Sequence, residues 1–306
     1  MSSNLIGSLI WLLFIFLSVF SHMIIKSLTG EVDFVITLFA RFVYSLPLLL
    51  ILAFLARKML FIQINHWNNI FIRSLFGFVT MIMVFSSLQL IPIGLTTALA
   101  QSSAIYVTLL SPLILGEKIG LIRWTAVITG LIGVFLMINP IGIIEKTSEL
   151  SSLGLLLAFG SAITHAGLAL ILRKIGKTEH PASTALIHNL ITSIIIIIAI
   201  SFFGTKFYGT PGKYGIEILI TPNFIFYSLI FLGVVGSLVQ YLMAQSYKFA
   251  EATILVTLRY LAIPIATIFG YIIWNEIPTS NQIMGGSIVI GSCLLITYRE
   301  MKKNKN

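Results

Sequence analysis

Residues 5–26 read LIGSLIWLLFIFLSVFSHMIIK. No Asp, Glu, Lys or Arg interrupts this run before Lys26. A helix of about 20 apolar residues is what crossing about 30 Å of hydrocarbon requires. No basic stretch precedes the run and no Ala-x-Ala-like cleavage site follows it, so it reads as a retained helix rather than a signal peptide. The remainder of the chain has the same character. Of its 306 residues 58% are hydrophobic and 9% charged, against about 25% charged in a typical soluble domain. Mean hydropathy is +1.03. Such a chain cannot cover a water-facing surface with polar groups, which excludes a soluble enzyme, a nucleic-acid module and a disordered chain. The sequence predicts an all-α membrane protein lodged in a lipid bilayer.

The same ruler gives ten spans, at about 5–26, 34–56, 69–89, 93–115, 121–139, 151–173, 182–203, 223–247, 252–274 and 280–299. Short polar or turn-forming pieces separate them, among them Ser27–Gly30, Asn139-Pro140 and Thr221–Asn223. The longest connection, Gly204–Pro222, carries four glycines and reads as a loop. A net charge of +9 raises the question of nucleic acid, yet the basic residues are scattered between apolar runs. Their sidedness explains them better. With the N-terminus inside, twelve Lys and Arg fall on the cytosolic side and four (Lys26, Lys146, Lys206, Lys213) on the other. Both termini are therefore expected in the cytosol of a bacterial inner-membrane protein. Cys293 is the single cysteine, so neither a disulfide framework nor a cysteine metal site is available.

The halves repeat. A shift of 159 lays Ser87-Leu88-Gln89 on Ser246-Tyr247-Lys248, Gly77 on Gly236, Leu99 on Leu258 and Glu117 on Glu276. A shift of 143 lays Ser18, Ser21 and His22 on Ser161, Thr164 and His165. A shift of 148 lays Arg41-Phe42 and Ser45 on Asn189-Leu190 and Ser193. Five spans per copy is an odd number, so the second copy must be inverted, a recurrent plan of secondary transporters. The expected architecture is two inverted five-helix repeats, 1–140 and 150–299, followed by a basic cytosolic tail, 300–306.

Several short elements carry a family resemblance. They are Arg41-Phe42, Ile72-Arg73-Ser74-Leu75-Phe76-Gly77, Leu115-Gly116-Glu117-Lys118 ahead of Arg123-Trp124, and Trp274-Asn275-Glu276-Ile277-Pro278. Over nearly its whole length the chain resembles two EamA domains of the drug/metabolite transporter superfamily, with Asn275 in place of the glycine of the Gly-Glu element. Leu258-Arg259-Tyr260-Leu261 with Asn275–Pro278 looks most like bacterial S-adenosylmethionine uptake members. The resemblance implies gradient- or exchange-driven carriage of a small metabolite, with no cofactor; substrates across the superfamily range from amino acids to drugs.

Polar groups at membrane depth are the candidate site, because even the gentlest scale charges about 2.5–3.5 kcal/mol for an ionised side chain there. Arg41 and Arg259 each lie about seven residues into a span, roughly 11 Å deep. Each either receives an anionic substrate group or pairs locally, Arg41 with Asp33 and Arg259 with Glu251. His22 and His165 match between halves, and His188 and Asn189 join them on the seventh span. Gln101, beside Ser102 and Ser103, and Gln240 offer neutral hydrogen-bonding groups that serve equally as interhelical glue. Tyr260 adjoins Arg259, and Tyr44, Tyr106 and Tyr241 lie within other spans. Pro47 and Pro264 fall inside spans two and nine and should break them. Glu117 and Glu276 read as anchors at helix ends. No catalytic or nucleotide-binding signature occurs. The leading reading is a secondary carrier, monomer or homodimer, whose substrate bears a carboxylate. Uptake of S-adenosylmethionine, export of amino acids or drugs, and a membrane sensor or assembly subunit without transport all stay open at this point.

Overall fold

Within lipid a backbone can satisfy its N–H and C=O groups only inside its own helix, so the apolar runs fold as helices. The computed structural model describes residues 3–57, 64–116, 120–138, 151–275 and 280–303. Among them the helices are α1 Ser3–Leu28, α2 Phe34–Val43, α3 Leu46–Arg57, α4 Trp67–Leu90, α5 Ile93–Ala100, α6 Ser103–Leu115 and α7 Leu121–Ile138. They continue as α8 Ser152–Ile175, α9 Pro181–Phe203, α10 Phe224–Phe249, α11 Ala252–Leu258, α12 Ala262–Trp274 and α13 Ser280–Lys303. No strand occurs among the described residues, which hold only isolated bridges. Among the described residues seven helices or helix pairs are long and apolar enough to cross a membrane, and shorter apolar helices occur at Ser103–Leu115, Trp124–Gly133 and Ile283–Ser292. Large apolar side chains such as Leu13, Leu55, Leu113 and Phe202 face outward, as a lipid-facing wall requires. The protein is a multi-pass, all-helical membrane protein.

Three crossings are jointed, and two joints were legible. Pro47 has no N–H for the carbonyl of Val43, and the chain breaks between α2 and α3 at Tyr44-Ser45. Pro264 likewise leaves the carbonyl of Tyr260 without its helical donor, and a 3₁₀ turn, Arg259–Leu261, separates α11 from α12. The third joint, Gln101-Ser102 between α5 and α6, contradicts the expected unbroken run 93–115. Hydrogen bonds tighten to three-residue spacing there: Ser102 N donates to Leu99 O and Ala104 N to Gln101 O, both at 3.1 Å. The Ser102 hydroxyl donates to Leu99 O at 2.9 Å, competing with the ladder.

Ends are specified locally. Ser151 and Asn223 cap α8 and α10, accepting from Gly154 N at 3.2 Å and Phe226 N at 2.8 Å. Gly116 closes α6 at φ 66°, and Asn275 closes α12 at φ 54°. Asparagine is among the few residues that tolerate the left-handed region, so the Gly-to-Asn departure in the second half preserves the turn. Glu117, Glu276, Pro278 and Asn139-Pro140 lie outside the described residues.

Packing crosses between the halves. α1 lies along α10 and α4 along α8, α7 pairs with α13, and α5 and α6 meet α12 and α11. Glycines let these backbones approach. A Cβ at Gly7 would sit 2.8 Å from Ala250 N, and one at Gly133 would sit 2.7 Å from Gly285 O. At one end the Gly204–Pro222 loop is sewn to the α1–α2 link. Asp33 accepts from the Thr205 hydroxyl at 2.7 Å and Gly212 N at 2.8 Å, while Lys213 pairs with Glu31 at 2.6 Å. That pairing raises the pKa of Lys213, and the Gly215 N–H lowers that of Glu217. The loop includes a 3₁₀ turn, Ile216–Leu219, and also reaches α4, where Gln89 Oε1 accepts from Thr210 N at 3.1 Å.

Candidate functional site

Two small adjoining cavities lie at the middle of the bundle. They share Phe14, Ser18, His22, Val84 and Arg259, so they form one chamber. The α5–α6 joint adds Gln101 and α1 adds His22 on one side, while α8 adds His165 and α10 adds Gln240 on the other. Five residues singled out in the sequence therefore meet here: His22, His165, Arg259, Gln101 and Gln240. Matched His22 and His165 both line the wall. His22 packs edge-on against Phe85, centroids 6.0 Å apart. Arg259 extends from the 3₁₀ turn and places Nη1 against His165 Nε2. Its partner is thus a histidine, and the expected alternative, pairing with Glu251, does not hold. Glu251 sits at the start of α11, its own N–H donated to Asn4 Oδ1 at 3.2 Å.

Tyr260 does not reach the chamber. Its ring packs against Gly130, and its hydroxyl donates to Val127 O on α7 at 3.4 Å. Successive helical residues point about 100° apart, so aiming Arg259 inward turns its neighbour away. The expectation that this phenol flanks the ligand is corrected.

Arg41 and Asn189 form a second cluster behind the wall. Arg41 is fully buried, and its Nε and Nη1 have no hydrogen-bond partner. Asp33 does not pair with it, because both Asp33 oxygens hold the outer loop. Room for the guanidinium comes from Gly236, where a Cβ would overlap it. Gly77 does the same for His188, whose Cε1 would lie 2.8 Å from an added Cβ. Asn189 Nδ2 donates to Ser45 Oγ at 2.6 Å, tying α9 to the α2–α3 joint.

Arg73 belongs here, and the sequence reading left it out of the candidate site. It is fully buried, and its Nη2 donates to Gln240 Oε1 at 2.7 Å, linking this cluster to the chamber. Helix α4 begins at Trp67 rather than 69, which sets Arg73 deeper than the expected boundary allowed. His188 lies within electrostatic reach of both Arg41 and Arg73, and His22 of Arg41 and Arg259. Buried carboxylates among the described residues are Asp33 and Glu179, both at helix ends. Glu179 accepts from Asn65 N at 3.1 Å and His66 N at 3.0 Å, so it too is engaged. Two buried guanidiniums, Arg41 and Arg73, thus lie behind a chamber lined by the half-buried Arg259 and by no acidic side chain among the described residues, a field suited to an anionic group.

Comparison with known proteins agrees with this picture. The EamA-like transporter family matches twice, over residues 5–139 and 152–298. The riboflavin transporter of Vibrio cholerae is 27% identical over 70% of this chain and 66% of its own. An S-adenosylmethionine uptake transporter of Rickettsia bellii is 26% identical over 70% and 67%. The pseudopaline exporter of Pseudomonas aeruginosa is 24% identical over 74% and 73%. One solved crystal structure superposes with a TM-score of 0.72 at 18% identity, covering 95% of this chain and 97% of the other. That likeness shows the fold. With both halves matched, the chain belongs to the EamA-like transporter family and is a membrane transporter rather than an enzyme.

Proposed function

We propose that this chain is a secondary carrier that moves a small, carboxylate-bearing metabolite through the central chamber by alternating access. Arg259 carries the reading: it lines both cavities, is hydrogen-bonded to a histidine rather than to an acid among the described residues, and offers a planar fork matched to a carboxylate. His22, His165, Gln101 and Gln240 complete the first contacts, and Arg73 and Arg41 hold the field positive from behind. An amino-acid-like anion suits this field better than S-adenosylmethionine, whose sulfonium meets no acidic side chain among the chamber's described residues.

The ten spans form two inverted halves, 1–140 and 150–299. Support comes from the pairing of α1 with α10 against that of α4 with α8, the joints at Gln101 and Arg259–Leu261, and the left-handed ends at Gly116 and Asn275. Both termini and the basic tail 300–306 lie in the cytosol of a bacterial inner membrane, on the strength of the basic asymmetry. A reporter fused after Asn306 reads out as cytosolic; a periplasmic signal reverses the topology.

Purified protein in liposomes accelerates uptake or release of labelled amino acids or related carboxylates. Amide analogues lacking the carboxylate do not compete. Flux equal to that of empty liposomes throughout a metabolite panel would leave the sensor or assembly role as the better account.

A further inference from the structure

On the lipid-facing side, away from the chamber, α4, α6 and α8 leave an open groove of about 880 Å³. Its walls are apolar: Phe76 from α4, Leu110 and Ile114 from α6, and Ile163 and Leu170 from α8, with Lys174 at one end. Water has no foothold along such walls in the membrane-spanning part of the chain, so an acyl chain is the natural filling. From Ile163 to Lys174 is eleven residues, about 16 Å of helix. Half of a hydrocarbon core about 30 Å thick is nearly the same length. The groove therefore runs from the bilayer middle to one interface.

A second depression continues it, sharing Ile114 and Lys174 and adding Leu115, Arg173 and Lys177. Among the described residues five line it, of which three are basic and none acidic. Arg173 is occupied, donating from Nη1 to the carbonyls of Tyr247 and Lys248 at 3.0 and 3.4 Å at the end of α10. Lys174 and Lys177 are exposed and flank the mouth. An apolar slot one leaflet deep, ending in two outward ammonium groups, matches an amphiphile with an anionic head.

We propose that an anionic glycerophospholipid binds here, one acyl chain along α4, α6 and α8 and its phosphate between Lys174 and Lys177. This site is separate from the substrate chamber and does not depend on what the chamber carries.

Native mass spectrometry of the detergent-purified protein tests it, using phosphatidylglycerol and phosphatidylcholine with identical acyl chains. Phosphatidylglycerol is retained roughly tenfold to thirtyfold better, the worth of two lysines near a charged headgroup. The double variant Lys174→Gln/Lys177→Gln loses that preference, whereas Lys302→Gln/Lys303→Gln keeps it. Ile163→Trp, at an exposed groove position, lowers retention of both lipids by obstructing the acyl slot. Glycerol 3-phosphate, a head without chains, does not displace the lipid at equal concentration. Equal retention of the two lipids, or a preference surviving the Lys174/Lys177 change, overturns the proposal. So does full competition by glycerol 3-phosphate, which would mark a simple anion site.

Discussion

Arg259→Ala reduces substrate-dependent flux in proteoliposomes by at least about thirtyfold, the lower end of what removing one partner of a buried charge pair costs. Arg259→Lys falls between the two, because an ammonium keeps the charge and loses the two-pronged fit to a carboxylate. Stability supplies the control. A structural arginine held by an acid would leave a stranded partner when removed, and the protein would unfold more easily. Arg259 meets His165, and among the described residues no buried carboxylate neutralises it. Truncation therefore removes an uncompensated cation from the bundle, and the thermal midpoint holds or rises while flux is lost. Wild-type flux in the alanine variant, or loss of folding in step with loss of flux, would remove Arg259 from the site.

Gly133→Ala and Gly291→Ala should change stability in opposite directions. Alanine gains up to about 1 kcal/mol over glycine in a helix interior, and both substitutions collect that gain. At Gly133 the added methyl meets Gly285 O at 2.7 Å and Val289 N at 3.1 Å, both backbone atoms of α13 that can yield only if the helix moves. Overpacking of this kind costs about 1–3 kcal/mol, enough to lower the midpoint by several degrees. Around Gly291 nothing lies within 4 Å, so its variant keeps the full gain. Thermal unfolding in one detergent compares the two directly. Equal shifts of the same sign would mean that the α7–α13 crossing has slack.

Apolar length alone made the helices legible, and the two proline joints followed from a missing N–H. Gln101-Ser102 did not, since its break comes from hydroxyl and amide competition with the ladder rather than from a helix-breaking residue. Within the site, residue type and duplication found the histidines, but direction escaped. Arg259 and Tyr260 are adjacent in sequence and point to different neighbours. Arg73 was misjudged because two residues of boundary error shift depth by about 3 Å. Asp33 looked like a local partner for Arg41, while its actual partners, Thr205 and Gly212, lie some 170 residues along the chain. No sequence pattern near Asp33 could announce them.

The three joints give the bundle short levers set in a fixed frame. α2, α5 and α11 hold 10, 8 and 7 residues and each ends at a joint, the last two beside the central chamber. Such a lever is about 10–15 Å long, so a swing of about 15° carries its far tip roughly 3–4 Å, enough to admit or expel a water molecule. The long rods α1, α4, α8 and α10 need not unravel or slide for this to happen. A gate built this way can move on the scale of a few side chains while the surface that meets the lipid stays still.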